Sequence, residues 1–166
     1  MILITGSTGY IGSHLSNYFE KNNIDFIGID NLSCSYKSNI SNKKKHFFVD
    51  ISNLKKVKKI IQKFKPNTVI HTAAFSYVLE SEEKKRKYYS NNVFKTKIFI
   101  NLCKKLNIQN FLFLSSSNVF KESTKNISLK EKILTFPKNY YGKNKLIIEK
   151  YLKKKKFSNL IILRLF

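Results

Sequence analysis

Short apolar runs alternate along this chain with longer segments in which apolar residues recur at helical spacing. The short runs predict strands at Ile2–Thr5, Phe26–Asp30, His46–Val49, Thr68–Thr72, Phe111–Ser115 and Leu160–Leu165. The longer segments predict helices at Tyr10–Lys21, Asn53–Phe64, Tyr88–Leu106 and Tyr141–Lys156. This alternation is typical of a parallel sheet covered by helices. We therefore expect an α/β fold, a doubly wound parallel sheet of about six strands with helices on both faces.

Turn-forming residues separate these elements. Pro66 stands just before the fourth predicted strand, and Pro137 stands shortly before the last predicted helix. Residues 33–42 and 121–138 are predicted to be loops, and the charged stretch 82–87 is predicted to be an exposed loop or the start of a helix. No repeat or linker divides the 166 residues, so one domain is expected to span the whole chain.

The formal net charge of +22 raises the question of nucleic-acid binding. All the basic residues except Arg86 and Arg164 are Lys, whereas proteins that read nucleic acid favour the Arg guanidinium. Lys, Asn and Ile are all abundant, as A/T-rich coding would produce, and runs such as Lys153 to Lys156 are expected on solvated faces. We expect weak, salt-sensitive binding of polyanions and no specific nucleic-acid partner.

Several features favour the cytoplasm as the compartment of this protein. Cys34 and Cys103 lie far apart without ligand-like spacing, which predicts two free thiols in a reducing environment. The N-terminus runs at once through an apolar strand into a glycine loop, so no signal peptide is predicted. No apolar run approaches the ~20 residues of a membrane span, so no membrane partner is expected. Acidic or Cys partners at ligand spacing are lacking for His14, His46 and His71, so no metal site is expected.

A glycine-rich loop follows the first predicted strand. Gly6, Gly9 and Gly12 have the spacing G-x-x-G-x-x-G and lead directly into the first predicted helix. Glycines at such a place allow a tight turn, close approach of the backbone to a pyrophosphate, and close packing of helix on strand. The free N–H groups and the positive dipole end of the helix then favour phosphate. Between the first strand and helix of this pattern, the loop indicates a Rossmann-like dinucleotide-binding domain.

Two acidic residues follow predicted strands. Asp30 ends the second strand, where a carboxylate accepts hydrogen bonds from an adenosine ribose and repels a 2′-phosphate. No Arg stands nearby to accept that phosphate, so NAD is expected as the cofactor rather than NADP. Asp50, just past the third strand, fits a contact with adenine or, alternatively, an N-cap for the helix at Asn53–Phe64.

Tyr141 and Lys145 are four residues apart in the last predicted helix, so they share one face of it. An ammonium beside a phenol favours the phenolate, so Lys145 is expected to lower the pKa of Tyr141 from its ordinary value of about 10. A Tyr tuned in this way can move a proton to and from an alcohol or sugar hydroxyl. In a chain so rich in Lys the spacing alone is weak, and it gains weight from the glycine loop and Asp30.

Longer motifs show a resemblance to a known family. They are Gly6-Ser-Thr-Gly-Tyr-Ile-Gly-Ser-His14, Asp30-Asn31-Leu32-Ser33, Asp50-Ile51, His71-Thr72-Ala73-Ala74, Val78-Leu79-Glu80-Ser81, Tyr88-Tyr89-Ser90-Asn91-Asn92-Val93, Ser115-Ser116-Ser117-Asn118-Val119-Phe120 and Tyr141-Gly142-Lys143-Asn144-Lys145. Over essentially its whole length the chain resembles the extended short-chain dehydrogenases/reductases and, among them, the UDP-glucose 4-epimerase (NAD-dependent epimerase/dehydratase) family. The dehydratases of that family carry an Asp-Glu pair where this chain has Ser117-Asn118, so the resemblance favours an epimerase.

The resemblance implies catalytic roles for three residues. Ser116 would hydrogen-bond the sugar hydroxyl, Tyr141 would remove its proton while hydride passes from sugar C4 to NAD, and Lys145 would hold the nicotinamide ribose. The 4-keto sugar would then turn over and take the hydride back on its other face, which epimerises C4 of a UDP-sugar such as UDP-glucose or UDP-galactose. The motifs and the resemblance together give an NAD site of Gly6, Gly9, Tyr10, Ile11, Gly12, Asp30, Asn31, Ser33, Ser35, Asp50, Ile51, Thr72, Ala73, Ala74, Asn91, Tyr141, Lys145 and Phe166.

The resemblance also predicts a homodimer that pairs the helices at 88–106 and 141–156. The chain departs from the family at Phe120-Lys121, where Tyr-Gly is usual, and at Ser76, where epimerases commonly have a Lys that helps to hold NAD. Because the last predicted strand reaches the end of the 166 residues, we expect the nucleotide-sugar domain of the family to be absent. Two interpretations therefore stay open: the N-terminal part of a working epimerase, as a fragment or a split-enzyme subunit, or an inactive remnant that binds NAD or a partner subunit.

Overall fold

The computed structural model describes residues 1–120 and 134–166, and its six strands form one parallel sheet. The strands are β1 (Ile2–Thr5), β2 (Phe26–Asp30), β3 (His46–Phe48), β4 (Thr68–His71), β5 (Asn110–Ser116) and β6 (Asn159–Leu165). Their order in the sheet is β3-β2-β1-β4-β5-β6. The predicted α/β fold is confirmed, and each predicted strand is present with its ends shifted by at most one residue.

Six α-helices and one π-helical segment connect the strands within the described residues. They are α1 (Tyr10–Lys21), α2 (Leu54–Phe64), α3 (Val78–Glu83), α4 (Lys85–Tyr88), the π-helical segment Tyr89–Lys95, α5 (Thr96–Lys105) and α6 (Tyr140–Lys153). The sequence does not predict α3, because its six residues are too few to show a helical repeat. The predicted loop at 121–138 lies mostly outside the described residues, and within its described end Thr135 forms an isolated bridge with Phe120.

The helix predicted at Tyr88–Leu106 is divided in the structure into the end of α4, the π-helical segment and α5. The wider π turn carries Asn92, whose side chain holds the backbone of Phe75: its Oδ1 accepts from the Phe75 N–H at 2.9 Å, and its Nδ2 donates to the Phe75 carbonyl at 2.8 Å. The segment therefore fixes the chain that follows β4. Single π turns inside helices are frequent at functional sites.

Helices cover both faces of the sheet. The larger apolar cluster packs α2, α5 and α6 against the strands, and Phe99, Phe111 and Ile148 are among its fully buried members. The smaller cluster lies on the opposite face, where Phe19 of α1 packs on Phe26 and its neighbours. Burial of these apolar side chains supplies the main driving force for the fold.

The sheet order places the connecting loops at one edge. Ile2 of the central strand β1 pairs with Phe26 of β2 on one side and with Thr68 of β4 on the other. The chain therefore adds β2 and β3 on one side of β1 before it crosses over and adds β4, β5 and β6 on the other side. Loops that leave the carboxyl ends of β1 and β4 diverge at such a reversal and leave a crevice between them. Within the described residues, no helix has the length and apolar character that a bilayer crossing would demand.

Candidate active site

A cleft of about 570 Å³ opens at the carboxyl ends of the strands, where the strand order reverses. Its walls come from the loops that follow β1, β2, β3, β4 and β5, from the π-helical segment, from α6 and from the end of β6. The cleft is lined by every residue that the sequence predicts for catalysis or cofactor binding: Gly6, Gly9, Tyr10, Ile11, Gly12, Asp30, Asn31, Ser33, Ser35, Asp50, Ile51, Thr72, Ala73, Ala74, Asn91, Ser116, Tyr141, Lys145 and Phe166.

The glycine loop forms a tight bend between β1 and α1. Gly6 has a φ of +68°, and a Cβ on it would lie 2.7 Å from the Ala73 backbone. A Cβ on Gly12 would lie 2.0 Å from the Gly6 carbonyl oxygen, so α1 can start this close to the loop only because residue 12 is Gly. Gly9 is the N-cap of α1 and supplies no capping side chain, which leaves N–H groups of the first turn available to an anion.

Asp30 is a buried carboxylate that the backbone holds in place. Its Oδ2 accepts from the Thr8 N–H at 3.1 Å, and its Oδ1 accepts from the Leu32 N–H at 2.8 Å and from Ser35 Oγ at 3.3 Å. These donors link the loop after β1 to the loop after β2. Asp30 therefore presents a fixed negative charge at the wall of the cleft, as a ribose-binding carboxylate needs.

Asp50 does not cap α2, so the alternative offered by the sequence is wrong. The N-cap is Asn53, whose side chain accepts from the Lys56 N–H at 3.2 Å. The Asp50 carboxylate faces the cleft instead and forms an ion pair with Lys95, with 2.6 Å between Nζ and Oδ2. Burial opposes ionisation of Asp50, but hydrogen bonds from Lys95, Ser52 and Asn31 outweigh it and hold its pKa well below the ordinary value.

Ser116 and Tyr141 meet at the other end of the cleft. Ser116 ends β5, and its Oγ accepts from the N–H and the side-chain Nδ2 of Asn118 at 3.2 and 3.1 Å. Tyr141 stands in the first turn of α6, where its N–H donates to Ser81 Oγ at 3.1 Å. A Cβ on Gly142 would lie 2.2 Å from the Asn118 carbonyl oxygen, so this glycine lets α6 approach the turn after β5. The Ser116 hydroxyl acts to lower the pKa of Tyr141, so the two hydroxyl groups lie close to each other.

The prediction that Lys145 lowers the pKa of Tyr141 is wrong, because the surroundings of Tyr141 raise that pKa. Burial raises the pKa of Tyr141, and the hydrogen bond with Ser116 opposes that rise only in part. Lys145 Nζ is directed elsewhere: it donates to the Leu114 carbonyl at 2.6 Å and lies 5.6 Å from the centroid of the Tyr141 ring. Burial also lowers the pKa of Lys145 to about 8, against the attraction of Glu149. The four-residue spacing of Tyr141 and Lys145 can be read from the sequence, whereas their burial cannot.

A buried ion pair behind the predicted catalytic residues was not predicted from the sequence. Glu149, only 1% exposed, accepts from Ser115 Oγ at 2.5 Å and from Nε and Nη2 of Arg164 at 3.0 and 2.7 Å. It therefore ties α6 to β5 and β6. Its spacing of four residues from Lys145, on the same helix face, was the available signal.

The histidines of β3 and β4 belong to the core. His71 is 1% exposed, shares a 2.7 Å hydrogen bond with Thr5 Oγ1, and stacks on Phe113. His46 is also buried and shares a 2.9 Å hydrogen bond with Ser7 Oγ. Burial lowers the pKa of His71 to about 3 and of His46 to about 4, so both rings stay neutral at pH 7.

Other cleft residues were not singled out as site residues by the sequence. Their common signal is position, since they lie at or just beyond the carboxyl ends of parallel strands, where ligand-binding residues concentrate. They are Cys34, Phe75, Ser76, Tyr77, Val78, Leu114, Ser115, Ser117, Asn118 and Leu165, together with Ile29 and Val49.

Residues 2–166 match the model of the NAD dependent epimerase/dehydratase family. The chain belongs to this family. Among its relatives, a UDP-glucose 4-epimerase of Lactobacillus helveticus is 32% identical over 149 residues, which are 90% of this chain and 45% of the relative. The bifunctional protein GAL10 of Candida maltosa is 35% identical over 137 residues, which are 75% of this chain and 87% of that protein.

Solved structures of the family share this fold. The UDP-glucose 4-epimerase of Brucella ovis, in complex with NAD, superimposes with a TM-score of 0.91 at 31% identity, and covers 98% of this chain and 50% of its own. This chain therefore spans about half the length of that structure and of the L. helveticus relative, at 50% and 45%. The family assignment agrees with the resemblance predicted from the motifs.

Proposed function

We propose that this chain is the NAD-binding and proton-transferring part of an enzyme that epimerises C4 of a UDP-hexose. The observation that carries the proposal is the single cleft in which the glycine loop and Asp30 lie at one end and Ser116, Tyr141 and Lys145 at the other. Membership of an NAD-dependent family and the NAD-bound B. ovis structure support the choice of cofactor. The relatives named UDP-glucose 4-epimerase support the choice of substrate class.

The cofactor end of the cleft fits a dinucleotide. The first turn of α1 offers its N–H groups to a pyrophosphate, and a Cβ on Gly9 would meet only the Gly6 carbonyl oxygen, at 3.3 Å, so the space in front of it is open. Asp30 would accept from an adenosine ribose, and among the described residues no Arg lines the cleft, which favours NAD over NADP. NAD, when bound, supplies a hydride acceptor that becomes a hydride donor in the second half of the cycle.

The chain's own residues would handle the proton. Ser116 Oγ already accepts two hydrogen bonds from Asn118, so its O–H is free to donate to the sugar C4 oxygen or to Tyr141. Tyr141 would take the C4 hydroxyl proton during oxidation and return it to the same oxygen during reduction. Lys145, held by the Leu114 carbonyl at 2.6 Å, would hold the nicotinamide ribose.

Dehydration, the other reaction in the family's name, is disfavoured by the acids available. Within the described residues, the carboxylates that line the cleft are Asp30 and Asp50, and both lie at the cofactor end. Ser117 and Asn118 stand next to Ser116, and neither of them has a carboxyl group that could act as an acid. An epimerase needs no such group, because the ketone that forms is reduced again without loss of water.

Binding and turnover should be separable in this chain. We expect calorimetry to detect NAD binding by the 166-residue protein and coupled assays to detect little UDP-galactose turnover, since the chain spans about half of its relatives and remote contacts normally place a sugar. Coexpression with the segment of the L. helveticus relative that lies beyond the match should restore turnover. Tyr141→Phe in that complex should lower kcat about 100- to 10,000-fold while NAD binding persists.

Each outcome bears on a different part of the proposal. Failure to bind NAD at millimolar concentration would remove the cofactor assignment. NAD binding with no turnover in any complex would favour the alternative, a chain that binds NAD or a partner subunit without catalysis. Full turnover by the 166-residue protein alone would show that the UDP-hexose needs no further polypeptide.

A further inference from the structure

The carboxylate of Asp50 is fully engaged by donors of this chain. Its Oδ2 accepts from Lys95 Nζ at 2.6 Å and from Asn31 Nδ2 at 2.8 Å. Its Oδ1 accepts from the N–H and the Oγ of Ser52 at 2.8 and 2.7 Å. A carboxylate offers about four lone-pair sites, so all of them have a partner.

Lys95 is the partner that comes from farthest away in the chain. Asn31 and Ser52 lie in the loops beside Asp50, whereas Lys95 ends the π-helical segment and reaches Asp50 from there. The ion pair is half-buried, with side-chain exposures of 28% for Lys95 and 26% for Asp50. At this depth, losing the cation would leave Asp50 with an unused lone pair directed toward the cleft that it lines.

We propose that Lys95 occupies the lone pair with which Asp50 could otherwise bind the base of the dinucleotide. Asp50 then does not accept a hydrogen bond from the exocyclic amino group of adenine, and the cleft does not select for that group. An amino group needs an acceptor, and the acceptor that the sequence predicts for it is already used. The cleft should therefore accept dinucleotides with a 6-amino purine and with a 6-oxo purine about equally. The inference rests on the proposed NAD site and concerns only its specificity for the base.

The test compares two cofactors on one protein. Calorimetry would measure the Kd of NAD and of nicotinamide hypoxanthine dinucleotide, which carries a 6-oxo group in place of the amino group. In the wild-type chain we expect the two Kd values to agree within about threefold. In Lys95→Met, the freed lone pair of Asp50 should accept from the amino group and repel the oxo group, so the preference for NAD should rise to about tenfold.

Two further variants keep the outcome clear. Lys45→Met breaks an ion pair of similar exposure with Glu20, 2.7 Å apart and outside the cleft, and should leave the ratio of the two Kd values unchanged. Asp50→Asn should also leave that ratio unchanged, because Asp50 does not contact the base in the wild-type chain. Asp50→Asn decides the question even where Lys95→Met fails to fold.

The contrary results are equally specific. A tenfold wild-type preference for NAD that Asp50→Asn abolishes would overturn the proposal, because Asp50 would then be reading the base. An unchanged ratio in folded Lys95→Met would overturn the role of Lys95. If neither dinucleotide binds, the proposed NAD site itself fails, which is a separate result from equal binding of both.

Discussion

Gly9 and Gly12 stand three residues apart in one loop, yet a methyl group on each would meet different surroundings. On Gly12 it would collide with the Gly6 backbone at 2.0 Å, whereas on Gly9 it would lie 3.3 Å from the nearest atom, in the open cleft. We expect Gly12→Ala to lower the free energy of unfolding by about 1–3 kcal/mol or more. Gly9→Ala should lower it by less than about 1 kcal/mol and weaken NAD binding about tenfold, because its methyl group would take the place proposed for the phosphates.

Urea unfolding and calorimetry on the two variants separate the roles of the glycines. Equal loss of stability in both would mean that Gly9 also serves only the fold. Tight NAD binding by folded Gly9→Ala would place the pyrophosphate elsewhere.

His71 should make the fold sensitive to moderate acid. Its pKa in the folded chain is about 3, below the ordinary value of about 6.5, so the unfolded chain binds more protons between these values. Its contribution to stability is therefore complete above about pH 6.5 and falls as the pH decreases. We expect the loss of stability between pH 7 and pH 5, measured by urea unfolding, to shrink by roughly 1–2 kcal/mol in His71→Gln.

The exposed His14 provides the matched control for this measurement, because His14→Gln should leave the pH dependence unchanged. His46 is buried as well and contributes to the same acid loss, so some dependence should remain in His71→Gln. An identical pH profile in wild type and His71→Gln would show that His71 is protonated or hydrated in solution.

At the residue scale, the sequence was sufficient where chemistry depends on position along the chain. The glycine spacing, Asp30 at the end of β2, and Ser116 and Tyr141 were all placed on the cleft that the structure shows. The sequence was insufficient where chemistry depends on burial. The rise in the pKa of Tyr141 and the engagement of Asp50 by Lys95 both depend on distances between elements, which no local pattern encodes.

At the scale of elements, Glu149 and Arg164 join α6 and β6 through a buried ion pair. Removing one partner leaves a buried charge, so Glu149→Met should lower the free energy of unfolding by about 3–5 kcal/mol. Replacing both, as Glu149→Met with Arg164→Met, should cost clearly less than the sum of the single variants, because neither member of this pair is then buried without the other. Urea unfolding of the four proteins in this cycle measures the coupling.

Lys45→Met provides a comparison, since the Lys45–Glu20 pair is partly exposed and should change stability far less. Strict additivity in the cycle would show that Glu149 and Arg164 are stabilised independently. The cycle also bears on catalysis, because Lys145 lies one turn from Glu149 on the same helix.

The helix predictions show what a periodic pattern can and cannot specify. The pattern located α1 with both of its ends and located α2 to within one residue, because each buries one apolar stripe. It merged α4, the π-helical segment and α5 into one helix, since a single wide turn barely disturbs the spacing of apolar residues. What distinguishes that turn is Asn92 bound to the backbone of Phe75, a contact between distant parts of the chain.

At the scale of the whole molecule, the edge strand β6 presents an apolar face. Its outward residues Ile161, Leu163 and Leu165 are 50%, 41% and 40% exposed. They lie on the face of the sheet that carries the smaller apolar cluster, and among the described helices only α1 contributes residues to that cluster. We expect the 166-residue protein to self-associate through this face, as sedimentation would show. Replacing Ile161 and Leu163 by Lys should abolish the association with little change in stability.

The inward residues of the same strand supply the control. Leu160 and Ile162 pack against the main core, so replacing them by Lys should unfold the chain rather than make it more soluble. If the outward pair of substitutions also unfolded the chain, the face would have to be covered in solution. The homodimer predicted through 88–106 and 141–156 is a separate association, on the other side of the sheet, and stays a prediction.

The position of β6 also sets an order of events during synthesis. The sheet pairs distant segments, such as Asn110 with Asn159, and parallel pairings of this kind form slowly. Among the described residues of the cleft, Leu165 and Phe166 are made after all the others, and the glycine loop is made before them. We therefore expect a nascent chain to retain the proposed dinucleotide only after β6 has paired with β5, and binding of the dinucleotide would then stabilise the complete sheet.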